Sequence, residues 1–192
     1  MNSVYSRSVS LLSRTNARLL VIDMQEKLVP AIFEHTSVLN ACHDLAKAAE
    51  ILRVPILATE QYPKGLGPTV SPLCDYLSSP IEKLRFSAAE ALGWNTDVGD
   101  EGTSQNQVVV IGIEAHVCVQ QTVLDLISQG FTVFVPVDAI GSRFPIDRDV
   151  AIQRMRDFGA TITTTESVIF ELCETAAADE FKEISKLIRS RG

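Results

Sequence analysis

The stretch that most constrains the fold is residues 107–123, QVVVIGIEAHVCVQQTV. Val108, Val109, Val110, Ile111 and Ile113 form a short apolar run rich in β-branched side chains. Such a run suits a strand buried on both faces, as in the middle of a parallel sheet. From Val117 to Leu126 the apolar spacing turns helical, and Gly130 follows as a stop. Cys118 falls at the start of that helix. A thiol there meets unpaired backbone N–H groups and the positive end of the helix dipole. Both favour thiolate, so the position can supply a nucleophile near neutral pH. The same N–H groups can stabilise an oxyanion. The alternative for Cys118 is a small buried hydrophobe, which is what most unpaired cysteines are.

Further strands and helices alternate around this stretch. Residues 18–23, RLLVID, form an apolar run ending in Asp23. Read as a first central strand, it puts Asp23 at the C-terminal sheet edge, where α/β folds bind ligands; a turn or helix cap is the alternative. A helix is expected over 37–52, with Leu39, Cys42, Leu45, Ala46, Ala49 and Leu52 on one stripe. Strands follow at 55–59 and 81–86. Lys83 and Arg85 would share a face of the latter. A buried lysine is rare unless paired, so Lys83 either faces water on an edge strand or finds Asp23 in the crevice. Residues 88–107 read as a short helix and an exposed polar loop. Strands at 131–136 and 160–163 flank a stretch, 137–143, that leads into a loop ending at Pro145, and then a helix capped by Asp147. Two C-terminal helices, 167–173 and 179–189, close the pattern. Such alternation indicates a doubly wound α/β sheet with helices on both faces.

The loop over 60–71, EQYPKGLGPTVS, is not a phosphate loop, because no GK[ST] follows its glycines. Its Tyr62 is either a pocket wall or part of a simple connection. The net charge of −7 argues against nucleic acid as a partner. No apolar run is long enough to cross a bilayer. Cys42, Cys74, Cys118 and Cys173 are scattered without metal-like spacing, so reduced thiols in a reducing compartment are expected. Residues 1–17 read as a flexible extension ahead of a single domain over 18–192. Arg7, Arg14 and several serines without an acid suit either a bacterial N-terminus, hence a cytoplasmic protein, or a mitochondrial transit peptide.

Asp23, Lys83 and Cys118, with the phrases LLVIDMQ, EKLRFSA and VVVIGIEAHVCV, resemble the isochorismatase-like (cysteine hydrolase) superfamily. The loop TEQYPKGLG is similar to its isochorismatase-domain-containing subgroup. The resemblance implies a Rossmann-like three-layer fold with a six-stranded parallel sheet in the order 3-2-1-4-5-6. It implies a triad in which Asp23 is the general base, Lys83 holds the charges, and Cys118 attacks a carbonyl to give a thioester. It also implies a cis peptide between Ile113 and Glu114, and an oxyanion hole from the N–H groups of Glu114 and Cys118.

Nicotinamidases of the superfamily carry an Asp-x-His metal pair where Gln61 and Pro63 stand here. Proline cannot ligate and glutamine ligates poorly, so neither metal nor other cofactor is expected. Gln25, Phe33, Tyr62, Leu66, Phe86, His116 and Arg143 are candidate pocket residues, and His116 admits a Cys–His dyad. The leading function is a metal-free thiol hydrolase of a small amide or related carbonyl compound. The alternatives are an isochorismatase-type vinyl-ether hydrolase and a non-catalytic binding protein on the same fold. The C-terminal helices carry more apolar surface than one small domain needs to cover, and relatives are commonly oligomeric. A homo-oligomer, dimer or larger, is therefore expected.

Overall fold

Residue alternation sorts the sheet into two cores. The computed structural model describes residues 6–94 and 105–191. Its central strands are β1 (Ala17–Ile22) and β4 (Gln107–Ile113), and β4 is buried throughout. Leu19, Val21, Val109, Ile111 and Phe134 point to one face; Leu20, Ile22, Val108, Val110, Val133 and Val135 point to the other. This is the period of two that a strand covered on both sides requires.

The remaining strands are β2 (Ile56–Gln61), β3 (Ile81–Lys83), β5 (Thr132–Pro136), β6 (Ile140–Gly141) and β7 (Thr161–Thr163). All pair in parallel, in the order β3-β2-β1-β4-β5-β7, and β6 pairs with the end of β4. The expected order holds, with the expected sixth strand appearing as β7. The two-residue β6 lies in the stretch expected to lead into a loop, not to form a strand.

The helices are α1 (His35–Ile51), α2 (Pro63–Leu66), α3 (Ala89–Leu92), α4 (Gln120–Ser128), α5 (Pro145–Phe158), α6 (Thr165–Cys173) and α7 (Phe181–Arg189). α1, α6 and α7 cover one face; α3, α4 and α5 cover the other. None of the described helices is long and apolar enough to cross a membrane.

Several expectations are corrected. The third strand stops at Lys83, so Lys83 and Arg85 do not share a face: Lys83 is buried while Arg85 is exposed and pairs with Glu90. Asp147 is not a cap, because α5 begins with Pro145 after Phe144. Its fixed φ and missing N–H make proline a good first helical residue. The apolar stripe of α7 is not spare surface, since Ile184 and Leu187 are buried in the core with α1 and α6. Residues 7–16 are tied down rather than loose. Arg7 donates to the Glu171 carbonyl at 2.6 Å, Leu12 N–H to Glu171 Oε2 at 2.9 Å, and Ser13 N–H to Gln107 Oε1 at 2.8 Å. Leu12 is fully buried. Of the loop expected before β4, residues 95–104 lie outside the described residues.

Gly112 shows why the centre of the sheet is exacting. It has φ +116, and a Cβ there would meet the Ile22 carbonyl oxygen at 2.1 Å. Any side chain would push apart β1 and β4 one residue before Asp23.

Candidate functional site

Asp23 follows β1 directly and is fully buried, with φ 51. Aspartate tolerates this left-handed region better than most residues. Its N–H donates to the Thr59 carbonyl at 3.1 Å, and its own carbonyl accepts from Gln25 N–H at 2.7 Å. The carboxylate is held on both oxygens. Thr59 Oγ1 donates to Oδ1 at 2.8 Å, and Lys83 Nζ donates to Oδ2 at 2.6 Å.

Lys83 ends β3 beside Gln61, its register partner at the end of β2. Its side chain is 2% exposed. Besides Asp23, Nζ donates to Gln61 Oε1 at 2.8 Å and to the Phe86 carbonyl at 3.0 Å, with the Arg85 carbonyl at 3.3 Å. An ammonium has three protons, so the desolvation that makes buried lysines rare is offset by a full set of acceptors. Gln61 is oriented in turn: Nε2 donates to the Leu84 carbonyl at 2.8 Å. Gln61 therefore serves the lysine.

Cys118 lies within a π-helical turn, Ala115–Val119, and α4 begins only at Gln120. The expected helix start at Val117 is thus a wider turn, in which Val117 and Val119 N–H groups both donate to the Glu114 carbonyl. Such turns recur at functional sites. The Ile113–Glu114 peptide preceding it is cis. Thr122, fully buried, donates to the Cys118 carbonyl at 2.6 Å and accepts from Ala88 N–H at 2.9 Å. This fastens the Cys118 turn to the chain that follows Lys83.

The thiol does not rest as the thiolate that a helix N-terminus alone favours. Burial pushes the Cys118 pKa up from 9.0 to about 12, and the Asp23 carboxylate adds to the rise while the Lys83 ammonium opposes it. Asp23, Lys83 and Cys118 are therefore brought together in one buried cluster: a neutral thiol facing a formed ion pair.

The other expected residues divide. Gln25 is fully buried and its amide is spent on backbone, donating to the Gln61 and Gly67 carbonyls and accepting from Gln61 N–H. It ties the chain after β1 to β2. Tyr62 is half exposed and, with Pro63, Lys64, Glu82, Lys83 and Leu84, lines a cavity of about 340 Å³. Phe33 and Phe86 are about half exposed, and Leu66 is half-buried. His116 turns away from the dyad: Nδ1 lies 3.0 Å from Ser142 Oγ and Nε2 3.8 Å from Asp147 Oδ2. Arg143 Nε pairs with Glu114 Oε2 at 2.8 Å. A larger cavity of about 800 Å³, between α1, α6 and α7, contains none of the expected site residues.

Sequence reasoning missed Thr59, Thr122 and the role of Gln61. Their only trace is position, at a strand end or one turn after the cysteine.

Residues 17–167 match the isochorismatase domain. Isochorismatase domain-containing protein 2A of Mus musculus is 44% identical over 172 residues, which span 89% of this chain and 82% of that protein. A structure described as the MAR1 ribonuclease of Caenorhabditis elegans is 38% identical, with a TM-score of 0.83 over 94% of this chain and 93% of that one. The YcaC product of Escherichia coli, described as an octameric hydrolase of unknown specificity, shares the fold: TM-score 0.79, 24% identity, 96% and 98% covered. This chain belongs to the isochorismatase domain family.

Proposed function

We propose that this protein is a thiol hydrolase of small amides or related carbonyl compounds, working without a metal. The observation that carries the reading is the buried Asp23–Lys83 ion pair, 2.6 Å long, facing the neutral thiol of Cys118. A thiol with a raised pKa needs a base at hand, and Asp23 is that base. Its proton passes to Asp23 as sulfur attacks the carbonyl carbon. The backbone N–H groups of Glu114 and Cys118 receive the oxyanion. Collapse of the tetrahedral species breaks the C–N bond, and Asp23 returns the proton to the departing amine. The thioester left on Cys118 is then hydrolysed by water, with Asp23 again as base. Lys83 stays protonated and keeps Asp23 aimed.

Metal chemistry is disfavoured by the donor set. Pro63 offers no ligand atom, and the Gln61 amide is engaged at both ends. The family name supports a second reading, vinyl-ether hydrolysis by protonation from Asp23, which needs no thiol. The name of the Caenorhabditis elegans neighbour raises a third, RNA cleavage, against which the net charge of −7 weighs.

The test is a panel of small amides, isochorismate and short RNA, given to the wild type and to Cys118→Ala. Amide hydrolysis lost in Cys118→Ala is the expected result. Activity on isochorismate alone, undiminished in Cys118→Ala, would replace the thiol reading with the second. The protein is further proposed to work as a homo-oligomer, as YcaC does by its description.

A further inference from the structure

Large apolar side chains are unevenly spread over the described surface. Phe144, Ile146, Val150 and Phe158 are 61%, 67%, 47% and 48% exposed, and all lie on α5 or at its entrance. Ala151 and Met155 on the other side of the helix are buried beneath it. Residues three, four and seven apart share a helix face. Ile146, Val150, Arg154 and Asp157 therefore share the outward one. An apolar stripe of this kind, rimmed by charge, marks an interaction surface.

The order of charges about Val150 identifies the partner. Asp147 lies three residues before it and Arg154 four after. Arg143 lies seven before and Asp157 seven after. Phe144 lies six before and Phe158 eight after. On the helix, Asp147 and Arg154 thus lie within one residue of mirrored positions with opposite charge, while Arg143 and Phe144, just ahead of the helix, lie at the end opposite Asp157 and Phe158. A second α5, laid antiparallel about a twofold axis passing between the two Val150 side chains, would set Asp147 beside the second copy's Arg154. It would set Arg143 beside that copy's Asp157, Phe144 beside its Phe158, and Val150 on its counterpart. The twofold makes every pair occur twice. A parallel arrangement would oppose like charges and align the helix dipoles unfavourably.

We propose that the α5 face is a self-docking surface whose occupant is a second copy of this chain. The proposal rests on the homo-oligomer reading above and assigns it a face. One side of a helix supplies fewer than the roughly 20–30 residues of a standard interface. Phe33, 52% exposed and bonded through its N–H to the Ser142 carbonyl at 3.0 Å, widens the face beside Phe144. Arg143 also pairs with Glu114, four residues before Cys118. Docking at α5 therefore reaches the wall of the candidate site.

Sedimentation velocity at micromolar concentration tests this with Asp147→Lys and Arg154→Asp, each alone and then mixed. The wild type is expected at twice the chain mass or more. Each variant alone sets like charges together twice per interface and should sediment at half the wild-type mass or less. Mixed in equal amounts, the two restore both pairs. The new lysine of one variant then faces the new aspartate of the other, the unchanged Arg154 faces the unchanged Asp147, and the mass should return. Misfolding of either variant would not be reversed by mixing. A monomeric wild type would overturn the homo-oligomer reading and this face together. Wild-type mass in both single variants, or a mixture that stays dissociated, would overturn the face alone.

Discussion

Cys42 and Cys118 are both buried thiols near the C-terminal edge of the sheet, yet only one faces an ion pair. Cys42, on α1, is fully buried and donates to the Ala139 carbonyl at 3.2 Å. Burial and the nearby charge of Asp138 push its pKa far up, and no ammonium among the described residues opposes them. Cys118 is 6% exposed and also raised, but it faces Asp23 and Lys83. Neither thiol is a thiolate at rest. What separates them is the Asp23–Lys83 ion pair, which faces Cys118 alone. The usual mark of a reactive cysteine, a lowered pKa, would have missed both. On the proposed mechanism, a neighbouring proton acceptor rather than acidity marks the nucleophile.

Alanine at each cysteine gives the widest contrast. Cys118→Ala should reduce amide hydrolysis to background, whereas Cys42→Ala should leave turnover intact and cost about 1 kcal/mol of stability. Steady-state rates and urea melts of both variants check this. Loss of activity in Cys42→Ala with its fold intact would break the comparison.

Asp23→Asn comes next, because it gives Cys118 the lack of a proton acceptor that Cys42 already has. Turnover should fall by roughly 10²–10⁴-fold. Since Asp23 raises the thiol pKa, removing its charge should let Cys118 ionise at lower pH than in the wild type. Peptide-resolved alkylation against pH reads this directly. A variant whose thiol becomes easier to alkylate while its turnover collapses would separate acidity from catalysis.

Lys83→Met shifts the thiol the other way, towards Cys42, because the ammonium is what lowers it. It also strands a buried carboxylate, at about 3–5 kcal/mol. Thermal melts and the same alkylation profile test both halves. Gln61→Met should be milder than either triad change. It removes one neutral acceptor from Lys83 and costs about 1.5–3 kcal/mol. Turnover should fall with Lys83 and Asp23 still paired, and unchanged rates would leave Gln61 a purely structural role.

Alkali should erode the fold through the same thiol. Cys118 ionises near 9 when unfolded and near 12 when folded. Its contribution to stability is therefore whole below about 9 and is lost as pH rises towards 12. Denaturant midpoints for the wild type and Cys118→Ala should converge across that window.

Much of this is legible in the chain because its strands are short, apolar and buried on both faces. The runs ending at Asp23 and Ile113 announce central strands, and a lysine within a third strand calls for either water or a partner. The roles within the triad come from resemblance, since spacing alone leaves a cap, an edge lysine and a buried thiol as alternatives. The direction of the Cys118 shift is not legible. A helix start is visible in local sequence, but desolvation depends on what packs over the thiol from β1 and β3. The π-helical turn escapes because its apolar residues run on into α4 without a break in pattern. Residues 7–16 read as flexible because their anchors, Gln107 and Glu171, are far away in sequence. Gln61 reads only as a failed metal ligand, because its bond to Lys83 needs the register of β2 against β3.

The most direct test of the central claim is acid quenching of a single turnover, followed by mass analysis of the Cys118 peptide. The substrate is the best amide from the panel. That peptide is expected to carry the acyl group transiently, rising before the second product appears and absent in Cys118→Ala. Full product formation with the peptide unmodified throughout, and the same rate from Cys118→Ala, would contradict the claim.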